Sequence, residues 1–230
     1  MNIVIIGPGK DPERYGNHFC KRAKEDGHTV HKYSYRIVPG LSEPEDITKD
    51  YSEFLVGKGK IDLLLYNCIG GFYPGHASEY KSSTKVKFEE WQMGIMINAA
   101  MPHMFSIETL KHMDENSGII FMTSSASYLI NRDNYLELSG YFGTKGVMNQ
   151  LARSLAEFND KNAIVSIFAP HIPYENKEEA KKVMDSLYNK AVNLERYDSG
   201  KIMEFYPPDG NPAYFLNDGK YQLPKKNQEN

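Results

Sequence analysis

NIVIIGPGKDPERYGNHFCKRAKEDGHTVHKYSY, residues 2–35, decides the fold. Residues 2–6 are a short apolar run that ends at Gly7, Pro8 and Gly9, and a helix-like segment follows from Gly16 to Gly27. The next run, 28–35, reads as a second strand. A strand, a glycine-containing turn and a helix aim backbone N–H groups and the positive end of a helix dipole at an anion such as a phosphate. A crossover of this kind returns parallel to its first strand, so the opening predicts a Rossmann-like, doubly wound parallel sheet flanked by helices.

The rest of the chain continues the alternation. Residues 61–66 (IDLLLY) form the most continuously apolar strand, and it delivers Asn67, Cys68 and Gly70 to the carboxyl edge of the sheet, where ligands bind in open parallel sheets. Before it, Asp46, Ile47 and Thr48 follow a loop, and a short helix is expected over 49–56. Residues 72–86 read as a loop and 88–113 as one long helix with Asn98 in its middle. The strand 118–123 leads to Ser124 and Ser125, and the strand 163–169 leads to Pro170, His171 and Ile172. A charged amphipathic helix over 175–194 and a last strand over 201–206 complete a single α/β domain, taken as residues 1–210, with 211–230 as a C-terminal tail.

Composition excludes several classes. Of 230 residues, 40% are hydrophobic and 25% charged, ordinary values for a globular protein. A net charge of -3 argues against nucleic acid, for which a basic surface is expected. No run approaches the length of a membrane span and no signal peptide is recognisable, so a cytoplasmic location without membrane attachment is expected. Cys20 and Cys68 lack metal-ligand spacing, His103 and His112 read as ordinary helix residues, and no metal site is predicted.

Chemistry enters with residues 139–158, SGYFGTKGVMNQLARSLAEF. Val147, Met148, Leu151, Leu155 and Phe158 recur at helical spacing, and Tyr141 and Lys145 stand four apart near the first turn. That spacing puts phenol beside ammonium, and a nearby cation favours phenolate, which makes the tyrosine a usable proton donor and acceptor near neutrality. Taken alone, such a pair more often means a half-buried ring and a solvated charge.

The order of these features resembles the short-chain dehydrogenase/reductase family over nearly the whole chain. The resemblance rests on the YxxxK of Tyr141 and Lys145, on Ser125 at the end of a buried strand and on the INAA segment that places Asn98. Supporting marks are DLLLYN before Asn67, Trp91 ahead of Asn98, and DIT at 46–48, similar to an adenine-contacting motif. It implies a catalytic tetrad of Asn98, Ser125, Tyr141 and Lys145. It also implies a dinucleotide held by Gly7, Gly9, Arg14, Tyr15, Gly16, Ser34, Tyr35, Arg36, Asp46, Ile47, Asn67, Cys68, Gly70, Tyr141, Lys145, Pro170, His171 and Ile172. The chain departs from the family in its glycine turn, where Gly16 matches the third glycine, Arg14 replaces the second and the loop is longer. It departs again at His171, which stands where a glycine is usual.

The implied reaction is hydride transfer between a nicotinamide and a small-molecule carbonyl or alcohol. Tyr141 serves as general acid or base, Ser125 bonds the substrate oxygen, Lys145 tunes the tyrosine and holds the ribose, and Asn98 anchors a water. The end of the second strand carries Ser34, Tyr35 and Arg36 and no acid, so NADP(H) is preferred over NAD(H). Pairing through the two long central helices implies a homodimer or homotetramer. The alternatives are a non-catalytic dinucleotide-binding sensor or regulatory protein, and a redox-neutral enzyme, on the same fold.

Overall fold

The computed structural model describes residues 1–11, 13–37, 42–68, 87–123, 139–170, 176–205, 212–215 and 221–222. Six parallel strands run in the spatial order β2 (Thr29–Tyr33), β1 (Asn2–Ile6), β3 (Leu63–Tyr66), β4 (Gly118–Met122), β5 (Ile164–Pro170) and β6 (Ile202–Phe205). Two short antiparallel strands, β7 (Pro212–Phe215) and β8 (Tyr221–Gln222), extend the sheet beyond β6. Residues 211–230, read from sequence as a tail, thus contribute two strands to the sheet. At the opposite edge β2 has no outer neighbour among the described residues.

The strands are apolar on both sides because helices cover both faces. Val4, Ile6, Leu64, Tyr66, Ile119, Phe121, Val165 and Ile167 point to one face. There they meet Tyr51 and Leu55 of α2 (Pro44–Leu55), Phe105 of α4 (Met101–Leu110) and Met148 and Ala152 of α5 (Ser139–Phe158). Ile3, Ile5, Leu63, Leu65, Ile120 and Phe168 point the other way. They pack on Phe19 and Ala23 of α1 (Tyr15–Glu25) and on Val183 and Leu187 of α6 (Lys177–Ala191).

Two elements differ from the sequence reading. The second helix starts at Pro44, not at residue 49, so Asp46 and Ile47 lie in its first turn instead of ahead of it. Proline suits that position because its missing N–H has no helical partner there, and Glu45 and Asp46 face the positive end of the helix dipole. The long helix expected over 88–113 is three pieces: α3 (Phe88–Ile95), a π-helical turn (Met96–Ala100) and α4. The wide turn carries Asn98, and Pro102 follows four residues later with no N–H for it.

Phe105 sits in an aromatic group that joins α2, α4 and the ends of β2 and β3. Its ring centroid is 4.5 Å from Tyr51, 5.1 Å from Tyr35, 5.7 Å from Tyr33 and 6.3 Å from Tyr66. It is fully buried. Phe105→Ala is expected to cost about 3–5 kcal/mol through lost transfer energy and the cavity left behind, read as a lower urea midpoint.

Candidate functional site

Gly7 ends β1 with φ +68°, a left-handed conformation that favours glycine. Its N–H donates to Tyr33 O at 3.0 Å, and its carbonyl accepts from Asn67 Nδ2 at 3.0 Å. A Cβ on Gly7 would lie 2.4 Å from Cys68 Sγ, so the turn after β1 and the end of β3 press together. Gly9 also has positive φ (+81°), and its carbonyl accepts from Asn17 Nδ2 at 3.2 Å. A Cβ on Gly16 would meet Asn67 Nδ2 and Pro8 O, each at 2.6 Å. The first turn of α1 is therefore seated against both loops, which needs a residue without a side chain.

Arg14 is the N-cap of α1 and its Nε lies 3.3 Å from Asp11 Oδ2. Tyr15 turns away from the cleft into the core, with its ring edge-on to Phe19 at 5.9 Å. Ser34 and Arg36 are exposed just beyond β2. Tyr35 between them folds inward, and its hydroxyl lies 2.6 Å from that of Tyr66. In the first turn of α2 Asp46 is exposed, whereas Ile47 is half-buried against the core and its carbonyl accepts from Tyr33 OH at 3.3 Å.

Lys145 is the most unusual side chain of the site. It is 1% exposed, and lysine is almost never fully buried unless its charge is met. Its Nζ donates to the carbonyls of Cys68 at 3.1 Å and Met122 at 3.0 Å, tying α5 to the ends of β3 and β4. Burial lowers its pKa to about 8, with the neighbouring Cys68 acting in the opposite sense. Burial pushes the Cys68 thiol up to about 11. Thr144, one residue earlier, accepts from Asn98 Nδ2 at 3.0 Å, and both residues are buried. Tyr141 lies on α5 one turn before Lys145, with its side chain outside the described residues.

The structure thus brings Gly7, Gly16, Asn67, Cys68, Asn98 and Lys145 to one end of the sheet, with Pro170 ending β5 there. Ser125, Gly70, His171 and Ile172 lie outside the described residues. Sequence reasoning missed Tyr66 and Thr144. Thr144 sits inside the YxxxK segment, and Tyr66 directly precedes Asn67 at the end of an apolar strand, so both stood beside residues already singled out. Among the described residues no group of His, Cys, Asp and Glu could hold a metal ion. No described helix is long and apolar enough to cross a membrane.

The protein has the fold of short-chain dehydrogenase/reductase structures. A short-chain dehydrogenase from Shigella flexneri is similar with a TM-score of 0.66 at 14% identity, covering 88% of this chain and 90% of that one. A blue fluorescent protein from a metagenomic library, in complex with NADPH, gives 0.65 at 15% identity, with 91% and 97% covered. A short-chain dehydrogenase from Burkholderia cenocepacia, in complex with NADP, gives 0.57 at 17% identity, with 74% and 73% covered. No protein-family model matches the sequence. No curated protein matches it.

The buried ammonium makes stability depend on pH in a defined direction. The unfolded chain keeps Lys145 protonated up to its ordinary value of 10.5, whereas the folded protein releases that proton near 8. The unfolded state binds more protons between those values, so stability rises with pH there. Cys68 and Cys20, both ordinarily 9.0 and raised by burial, act the other way from about pH 8 upward, so the lysine's share is isolated by comparison with a variant that lacks it. Denaturation at pH 8 and pH 9 is expected to show the wild type gaining about 1 kcal/mol relative to Lys145→Met, in which the two thiols titrate without the lysine.

Proposed function

We propose that the chain is an NAD(P)(H)-dependent oxidoreductase of the short-chain dehydrogenase/reductase type, interconverting a carbonyl and an alcohol. The observation that supports it most is a buried Lys145 at the ends of β3 and β4, one helical turn after Tyr141 and joined through Thr144 to Asn98. A residue set kept only for packing has no need of an ammonium in that place.

The residues present fit a dinucleotide. Gly7 and Gly9 give a turn with left-handed backbone, Gly16 keeps the start of α1 free of a side chain, and the eleven-residue α1 presents its positive end to that turn. Arg14 and Lys10 supply charge for phosphates. Ser34 and Arg36, both exposed, are the groups available to a 2′-phosphate, and no acid beside them selects a free 2′-hydroxyl. NADP(H) is the preferred cofactor in this reading. Asn67 holds the carbonyl of Gly7 and so fixes the floor of the cleft.

When bound, the nicotinamide supplies or accepts the hydride. Tyr141 gives its hydroxyl proton to the nascent alkoxide, or takes the alcohol proton in reverse. Ser125 donates to the same substrate oxygen as negative charge develops. Lys145 disfavours the neutral phenol by its charge, and its Nζ, which donates to the carbonyls of Cys68 and Met122, would also hold a ribose hydroxyl. Asn98, anchored on Thr144, orders a water in the path by which the proton is returned. A homodimer or homotetramer through α3, α4 and α5 belongs to the same reading, and the exposed Ile95, Ile107 and Val147 lie on those helices.

One observation favours the alternative of a non-catalytic dinucleotide-binding sensor or regulatory protein: the turn after β1 is lengthened, and Arg14, in place of its second glycine, lies 3.3 Å from Asp11. The deciding experiment is a panel of aldehydes, ketones and alcohols assayed with NADPH, NADP, NADH and NAD. Turnover with at least one pair is expected, falling about 100-fold or more in Tyr141→Phe with cofactor affinity retained. Turnover unchanged in that variant, or absent with every pair, overturns the proposal. Tighter binding of NADPH than NADH is also expected, with Arg36→Ala removing about tenfold of the difference in a fluorescence titration.

A further inference from the structure

The turn that carries Asn98 is held by a side chain from another element. In a continuous α-helix the N–H of Met101 would serve Ile97 O, but here it donates to Met96 O. In the wider register the donor for Ile97 O is the N–H of residue 102, and Pro102 has none. Tyr66 OH donates to Ile97 O in its place, by a short hydrogen bond.

Tyr66 is suited to this. It is fully buried at the end of β3, and burial holds its phenol well above the usual value, so it stays a neutral donor at any working pH. With its proton committed to Ile97 O, its oxygen accepts from Tyr35 OH at 2.6 Å. The next residue in the turn is Asn98, whose Nδ2 reaches Thr144 Oγ1, and Thr144 precedes Lys145. Contacts therefore run from the end of β2 through Tyr35 and Tyr66 to the turn, and from the turn to α5.

We propose that Tyr66 is a positioning residue for the reaction: its hydroxyl holds the wide turn in the register that lets Asn98 reach Thr144 beside Lys145. This inference rests on the oxidoreductase reading above. Core packing needs only the ring of Tyr66, so Tyr66→Phe separates the two roles.

The test compares the wild type with Tyr66→Phe and Tyr51→Phe, using deuterium exchange of the amides of residues 96–104 and steady-state kinetics with NADPH and an accepted carbonyl. Leaving the half-buried Ile97 carbonyl without its donor is expected to speed exchange in the turn and to lower kcat by about tenfold or more in Tyr66→Phe. The KM for NADPH should stay within about twofold, because the glycine turn is untouched. Tyr51→Phe removes a hydroxyl of the same aromatic layer, one bonded to Thr109 and not to Ile97, and should change kcat by less than about threefold.

Unchanged exchange and kcat in Tyr66→Phe overturn the proposal, as does a loss that appears only in KM. Should Tyr66→Phe not fold, the double variant Tyr66→Phe/Pro102→Ala is expected to fold, since residue 102 then has an N–H to offer. A double variant that stays unfolded also overturns the proposal. A wild type that binds neither dinucleotide defeats the oxidoreductase reading, and the exchange comparison then decides by itself whether Tyr66 holds the turn.

Discussion

The ammonium of Lys145 is the constraint on which the site depends. Taking such a charge out of water costs several kcal/mol even after relaxation, and hydrogen bonds from a charged donor return about 1.5–3 kcal/mol each. The carbonyls of Cys68 and Met122 accept those bonds, so the cost is met only while the ends of β3 and β4 and the first half of α5 keep their relative places. Asn67, adjacent to Cys68, in turn holds Gly7, and Gly7 lies against Cys68 itself. Two loops and a helix are thereby fixed by one side chain that packing alone would not select.

A second set of contacts supports the same region from below. Tyr33, Tyr35, Tyr51, Tyr66 and Phe105 form a continuous aromatic layer under the ends of β2 and β3. Several hydroxyls in it are spent on structure: Tyr33 on Asp50 at 2.7 Å, Tyr51 with Thr109 at 2.7 Å, Tyr66 on the π-helical turn. Burial raises the phenols of Tyr33 and Tyr51 above the usual tyrosine value, so the layer stays neutral.

What the sequence made legible follows from what repeats. Parallel strands buried on both faces read as unbroken apolar runs, so 2–6, 61–66, 118–123 and 163–169 located β1, β3, β4 and β5 to within two residues. Lys145, Asn98, Asn67 and the glycines at 7 and 16 were found by spacing and by family resemblance, and their contacts place them together. The early start of α2 was carried by a single proline, and the break in the long helix by another, Pro102, which the apolar periodicity of 88–113 concealed. Strands β7 and β8 are four and two residues long, β7 pairing with β6 and β8 with β7, so local pattern had little to offer. The inward turn of Tyr35 is a tertiary event with no local signal; its hydroxyl's partner on β3 and its ring's contact with Phe105 explain it.

The flank of β2, which has no outer neighbour among the described residues, has one more implication. A strand whose outer amides and carbonyls meet no neighbour invites another chain to add itself, and repeated addition makes fibres. Here that rim is short, five residues, and carries His31 and Lys32 in its middle, with Lys32 exposed and bonded back to Asn17 at 3.2 Å. A charge at that position cannot be buried in a growing ladder without loss, so it acts as a gatekeeper that keeps the sheet from propagating through its own border.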